Sequence, residues 1–92
     1  MALYSITYDL VGRRDYEKIF RGIKEVSNNS YTKPTESQWI IKSSKTAEGI
    51  VKYLEDFLDD NDILFVIPVD GQKWSALNLS DDVCDWLDKN SW

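Results

Sequence analysis

The spacing of apolar residues changes repeatedly along this chain, and the order of those spacings is what most constrains its fold. The segment from Ala2 to Leu10 alternates with period two, which is typical of a β-strand. From Arg13 to Val26 the apolar residues recur at helical spacing instead. The same two patterns continue and predict strands at 31–33, 35–42, 63–69 and 73–79, a helix at 47–58 and a short helix that Ser80 caps.

This order of elements predicts an α+β fold. The first six elements read β-α-β-β-α-β, which is the split βαβ, or ferredoxin-like, arrangement. We therefore expect one ferredoxin-like domain over residues 1–92, with strands one and three central and two helices on one face of the sheet. An extra C-terminal strand, which returns from a hairpin turn predicted at Asp70-Gly71, and the short helix of residues 80–92 follow it. We expect that helix to turn Val83, Trp86 and Leu87 inward. Gly22, inside the first helix, indicates a close contact between that helix and the sheet.

Composition excludes several classes of protein. The 92 residues carry 11 basic and 16 acidic side chains, a net charge of −5, with no His and one Cys. Without His there is no hydrolase that uses a His base, and no zinc site of the usual His and Cys ligands. No stretch approaches the roughly 18 apolar residues of a membrane span, and the N-terminus lacks the pattern of a signal peptide. We expect a cytoplasmic protein without membrane contact, whose negative charge disfavours nucleic acid as a partner.

The sheet face opposite the two helices needs a cover. Apolar residues of the third strand and half of the 63–69 run must point into it, and a chain of this size does not easily leave such a face in water. Homodimerisation through that face is the simplest solution, and we expect Trp39, Phe65 and Trp74 at the interface. A second route is addition of the last strand and the Trp-bearing tail to the sheet edge of a partner. Trp39 fits the core equally well, and Trp74 could instead pack within the chain or stack on a base.

Asp9 is the candidate for chemistry. It ends the first strand on the face opposite Tyr4, Ile6 and Tyr8. A two-fold axis over that face would bring two copies of Asp9 together, and paired carboxylates bind Mg²⁺ or Mn²⁺ through oxygen. Such a metal generates hydroxide or stabilises a phosphoryl transition state. The alternative interpretation is an Asp that turns back to accept backbone N–H groups of the Gly12 loop.

A family resemblance enters at the same residues. The segment Leu3–Leu10, with Tyr8-Asp9 near its end, resembles the opening strand of the small CRISPR-associated adaptation proteins, the Cas-two family. Segments 13–16, 36–40 and 62–69 resemble that family's Arg-rich helix start, its Ser-x-aromatic third strand and its fourth strand. The resemblance covers a core of residues 1–79. Virulence-associated protein D toxins share the fold, and this chain is most similar to the short stand-alone members.

The resemblance implies a set of functional residues. Asp9 would be the catalytic metal ligand, and Arg13, Arg14, Ser37 and Lys33 would contact nucleic acid. This sequence departs from the family in carrying fewer basic residues.

Two classes of function remain open at this point. One is a homodimeric, Mg²⁺- or Mn²⁺-dependent endonuclease or phosphodiesterase acting on RNA or DNA, including a toxin-type ribonuclease. The other is a non-catalytic dimeric binding or inhibitor module, encoded by a phage or mobile element and involved in phage defence, that binds a host protein or nucleotide. The acidic composition favours the second class, and Asp9 favours the first.

Overall fold

Four β-strands and three α-helices occupy the residues that a computed structural model of the protein describes, which are 1–12, 15–71 and 73–90. In chain order they are β1 Ala2–Asp9, α1 Tyr16–Val26, β2 Tyr31–Thr35, β3 Gln38–Ser43, α2 Ala47–Leu54 with a 3-10 turn at Glu55–Phe57, β4 Ile63–Pro68, and α3 Asp81–Asn90. Among these described segments, no helix is both long and apolar enough to cross a membrane.

The strands form one antiparallel sheet in the order β2-β3-β1-β4. The predicted α+β class and the central positions of the first and third strands are therefore confirmed. Each of the connections through α1 and α2 joins two strands that have one other strand between them. As a result β4 is an edge strand with β1 as its neighbour.

The core lies between the sheet and the pair α1 and α2. The period-two pattern of β1 turns Tyr4, Ile6 and Tyr8 toward these helices, as predicted, and all three are buried. The helices meet them with aliphatic side chains at helical spacing, which are Ile19, Ile23, Ile50 and Leu54. Side-chain caps define both helix starts: Asp15 accepts the N–H of Lys18 at 3.1 Å, and Thr46 accepts the N–H of Gly49 at 3.0 Å.

Gly22 permits a close contact between helices and not, as predicted, between helix and sheet. A Cβ atom at this position would lie 2.7 Å from Cγ of Phe57 and 3.0 Å from Cδ2 of Leu54. Phe57 belongs to the 3-10 turn that extends α2, so the glycine lets α1 approach the end of α2. The contact offsets the roughly 1 kcal/mol by which glycine disfavours a helix interior.

The predicted strand at 73–79 is wrong, because the described residues 73–80 form neither strand nor helix. A returning strand would have to pair with the free edge of β4. The N–H of Val69 donates to the carbonyl of Leu3, so by alternation the nitrogen of Pro68 faces that free edge without a hydrogen to donate. The ladder of a hairpin would therefore begin with a missing bond.

The C-terminal segment instead packs on the second face of the sheet. This outer face is the one opposite α1 and α2. Val83 and Leu87 of α3 are buried against Ile40 of β3, with Trp86 beside them, as the inward positions of the last helix predict. Ser80 caps the helix by accepting the N–H of Val83 at 3.4 Å. Part of the outer face is thus covered within one chain, whereas the simplest cover expected from the sequence was a second copy.

Candidate functional site

One half of the outer face stays open. α3 lies over the β2 side of the sheet, while the β4 side carries an exposed row of apolar side chains. Ile63 and Phe65 are each 57% exposed, and Ile67 is 43% exposed. We call these three residues, with Thr7 and Asp9 of the neighbouring strand, the open patch. Large apolar side chains that lie next to one another in water are typical of an interaction surface.

Strand register places Asp9 at one end of the open patch. In the β1–β4 ladder, Thr7 pairs with Phe65 and Asp9 pairs with Ile63. Directly paired residues share a face of the sheet, so the Asp9 side chain lies on the outer face beside Ile63. Asp9 is exposed, and the face predicted for it from the alternation of β1 agrees with the structure.

Asp62, rather than Asp9, ties down the loop that follows β1. The Asp62 carboxylate accepts the N–H of Val11 at 2.8 Å and, through its other oxygen, the N–H of Asp59 at 2.8 Å. Val11 lies next to Gly12, which has a φ of +75° and turns the chain. The alternative interpretation of Asp9 gave it the role of accepting N–H groups of this loop; for the N–H of Val11, Asp62 has that role, just before β4.

A single chain does not assemble a multidentate metal site in its described segments. No group of three or more Cys, Asp or Glu side chains there is arranged to hold an ion. Mg²⁺ needs fewer protein ligands than that, because it keeps several waters and binds through one or two carboxylates. One Asp9 carboxylate is at the lower end of that range, and two Asp9 carboxylates brought together by a second copy would reach its upper end.

The predicted nucleic-acid contacts are not all on one surface. Ser37 is exposed in the turn between β2 and β3, and the pairing of Thr7 with Gln38 puts it at the same end of the sheet as Asp9. Lys33 lies on the helix-covered face, where its Nζ is 5.1 Å from the ring centre of Phe20. The predicted contacts at positions 13 and 14 lie outside the described residues.

The three residues predicted at the dimer interface lie in three different parts of the structure. Phe65 is at the centre of the open patch. Trp74 is 39% exposed and lies in the segment between β4 and α3. Trp39 is 2% exposed and pairs with Ile6 on the helix-covered face, so its place is the core of the single chain. A side chain buried within one chain has no surface left for a partner, so Trp39 is not available to an interface.

Trp39 takes part in a buried polar chain that the sequence did not reveal. Its Nε1–H donates to Oη of Tyr8 at 3.0 Å, and the Tyr8 hydroxyl donates to the carbonyl of Glu36 at 3.3 Å. Burial raises the pKa of Tyr8 above its ordinary value, against the opposing effect of the Trp39 hydrogen bond. These two hydrogen bonds join β1 to the β2–β3 turn and give the indole N–H of Trp39 an acceptor. Alternation puts both residues on one face, but no sequence signal indicates that they touch.

A second feature of the outer face is a cavity of about 310 Å³ between the sheet and the C-terminal segment. The cavity adjoins the open patch through Ile67. Its lining is mostly apolar and consists of Leu3, Ser5, Gln38, Ile40, Ile67, Val69, Trp74 and Leu87. Within it, Nε2 of Gln38 donates to Oγ of Ser5 at 3.0 Å. The alternation of β1 and β3 predicts that Ser5 and Gln38 share the outer face, but the cavity depends on the path of residues 73–80.

Comparison with known proteins leaves the family open. No protein-family model matches the chain, and no solved structure matches it.

Proposed function

We propose that the protein is a homodimeric, metal-dependent phosphodiesterase of ferredoxin-like fold, similar to the Cas-two family, that acts on RNA or DNA. One observation carries the proposal: the open patch is an exposed apolar surface with the Asp9 carboxylate at its end. The strand order β2-β3-β1-β4 is compatible with that fold.

A second copy of the chain is the partner that we propose for the open patch. Two sheets that pack face to face bury side chains of their inner faces and lie about 10 Å apart. A two-fold axis over the patch would bring the exposed apolar row of one copy, with Phe65 at its centre, against the same row of the other copy and remove both from water. Because Asp9 is part of the patch, the same axis would bring the two Asp9 carboxylates toward each other.

The charge of Asp9 then requires a cation. Two carboxylates that face each other across an apolar interface repel, and chains with a net charge of −5 add to that repulsion. A divalent ion held between the two Asp9 side chains offsets both effects. Bound Mg²⁺ or Mn²⁺ would supply a nucleophilic hydroxide and stabilise charge on the phosphoryl group.

The remaining residues of the proposal position the substrate. Thr7 is on the outer face between Asp9 and the cavity, and Ser37 is exposed at the same end of the sheet. Arg13 and Arg14 are proposed phosphate contacts on the strength of the family resemblance. Lys33 is on the opposite face and would contact only a strand that wraps around the sheet.

The test is cleavage of labelled single- and double-stranded RNA and DNA in Mn²⁺ or Mg²⁺, with chelator as the blank. We expect Asp9→Asn to abolish the metal-dependent cleavage while its unfolding free energy stays within about 0.5 kcal/mol of wild type, because the side chain is exposed. Asp56→Asn, an exposed variant in the 3-10 turn on the helix-covered side of the sheet, is the matched control and should cleave normally. Equal activity of Asp9→Asn and wild type, or no cleavage by either, contradicts the proposal.

A non-catalytic dimeric binding module is the second candidate, and the charge of α3 favours it. Four exposed carboxylates line this helix, at Asp81, Asp82, Asp85 and Asp88. They lie on the outer side of the same face as the patch and repel phosphate. This candidate predicts a dimer that forms without cleaving nucleic acid and that binds its partner equally well with Asn at position 9.

A further inference from the structure

The cavity beside Trp74 has the form of a small-molecule site. Its volume of about 310 Å³ lies at the lower end of the range for ligand pockets, roughly 300–1,000 Å³. A second cavity of about 380 Å³ shares Trp74 and Gln38 with it and is also lined by Pro34 and Thr35 at the end of β2. Both are lined mostly by apolar side chains, so burial of an apolar ring would drive binding.

Two features restrict the ligand to something flat with a polar edge. Trp74 is exposed enough to present part of its indole to the cavity, and indole faces bind planar rings by stacking. Gln38 provides the polar group. Its hydrogen bond to Ser5 uses one amide N–H, and the amide has a second N–H beside its acceptor oxygen. A purely apolar ligand would bury this amide without a partner, which costs free energy.

We propose that this cavity binds a nucleobase, with the ring against Trp74 and its hydrogen-bonding edge on the Gln38 amide. Adenine matches best, because its adjacent N6 donor and N7 acceptor pair with a Gln amide in bidentate fashion. The base site follows from the cavity alone. Its role as a substrate subsite rests on the proposed function.

The position of Gln38 relative to Asp9 connects the base site to the proposed chemistry. Gln38 pairs with Thr7, and Asp9 lies two residues further along β1 on the same face. Two residues of a strand span about 7 Å and neighbouring strands lie about 5 Å apart, so the backbones at Gln38 and Asp9 are about 9 Å from each other. That separation is comparable with the distance from a base to its own phosphate, so a nucleotide held by Trp74 would extend its phosphate toward Asp9. The substrate would then be single-stranded, because a base stacked inside a duplex has no free face for Trp74.

The test measures binding in the Asp9→Asn protein without metal, so that catalysis plays no part. Adenosine, AMP, ribose 5-phosphate and a short adenine oligonucleotide are titrated into ¹⁵N-labelled protein, and the indole and Gln side-chain N–H signals are followed by NMR. We expect adenosine and AMP to shift the Trp74 and Gln38 signals and ribose 5-phosphate to leave them unchanged. Tighter binding of the oligonucleotide than of AMP identifies a nucleic-acid strand as the source of the base, and equal binding identifies a free nucleotide.

Variants separate a base site from a general effect on the fold. Trp74→Leu should weaken adenosine binding about tenfold, and Trp74→Phe, which keeps a ring, should weaken it less. Tyr16→Leu is the matched control, since it removes an exposed aromatic ring on α1, and should bind as the parent does. Absence of any shift with adenosine and AMP, or equal affinity in Trp74→Leu, overturns the base site. Base binding without Mn²⁺-dependent cleavage overturns the phosphodiesterase and leaves the base site standing.

Discussion

Asp9 lies directly opposite Ile63 in the ladder between β1 and β4, so a carboxylate borders a row of exposed apolar side chains. This pairing follows from register, because a shift of one residue would turn Asp9 toward the helices. An acid at the margin of an apolar surface is desolvated only when a partner covers that surface. The pairing therefore links any chemistry at Asp9 to association of the chain.

The exposed ring of Phe65 provides the first prediction. Phe65→Lys puts a charge at the centre of the open patch, where a second copy would have to bury it. We expect the variant to be monomeric at concentrations at which wild type is dimeric, as measured by sedimentation equilibrium. Tyr16→Lys, on α1, serves as the control and should leave the dimer intact. A Phe65→Lys dimer as tight as wild type would place the interface elsewhere.

Gly22 provides the second prediction. Gly22→Ala introduces a Cβ atom 2.7 Å from Phe57, and relieving that overlap forces the end of α2 away from α1. We expect a loss of about 1–3 kcal/mol in the free energy of unfolding, measured with urea, despite the better helix propensity of alanine.

Gly49 in α2 is the matched control. An added Cβ there comes no closer than 3.3 Å, to Oγ1 of Thr46, and meets neither Phe57 nor Leu54. Gly49→Ala should therefore unfold at the same urea concentration as wild type or at a higher one, because alanine favours the helix and its Cβ does not meet Phe57. If both variants lost the same stability, the close helix contact would not be the reason for Gly22.

The sequence predicts the structure well where the placement of a residue depends on its neighbours along the chain. It predicts poorly where the placement depends on residues far away in the sequence. The alternation of β1 predicted its two faces and the place of Asp9, because period two is a property of the strand itself. The Asp70-Gly71 pair, typical of a hairpin, predicted a strand at 73–79 that does not form. The partner of that segment is the outer face around Ile40, which lies far away in the sequence.

The assignment of residues to the two faces of the sheet shows the same dependence on distant partners. Trp39 and Ile40 are neighbours in sequence and lie on opposite faces, and only the register with β1 decides which of the two is in the main core. The partial cover of the outer face by α3 was not predicted, although the inward positions of that helix were. Periodicity gives the apolar side of a helix but not the surface against which it packs.

The Tyr8–Trp39 hydrogen bond provides the third prediction. Tyr8→Phe leaves the buried Nε1–H of Trp39 without its acceptor, and we expect a loss of about 1–3 kcal/mol in the free energy of unfolding. A loss of less than about 0.5 kcal/mol, which is the range for a surface position, would show that the hydrogen bond does not contribute to stability.

The dependence of stability on alkaline pH provides a second test of Tyr8. Because burial raises the pKa of Tyr8 in the folded protein, the folded state holds this proton more tightly than the unfolded state does. The stabilisation that comes from this tighter proton binding is fully present below the pKa of tyrosine in the unfolded chain, about 10. It is lost as the pH rises through the higher pKa of Tyr8 in the folded protein. Stability of wild type should thus fall more steeply above pH ~10 than that of Tyr8→Phe. Parallel urea midpoints over that range would contradict this.

Leu87 of α3 provides the fourth prediction. Its side chain is buried with Val83 and Ile40 and lines both cavities beside Trp74. Leu87→Ala should cost about 2–5 kcal/mol and increase binding of a hydrophobic dye, because α3 would no longer cover its half of the outer face. Asp88→Ala, an exposed neighbour in the same helix, should change neither quantity. Equal dye binding by the two variants would show that α3 does not hold its position through Leu87.

Native mass spectrometry in the presence of Mn²⁺ tests the central claim most directly, because it reports chain number and metal content together. The account predicts that wild type appears at twice its chain mass of 10.7 kDa with Mn²⁺ bound, and that Asp9→Asn keeps the doubled mass but loses the metal. Single chains as the main species for wild type, or metal retained equally by Asp9→Asn, would contradict it.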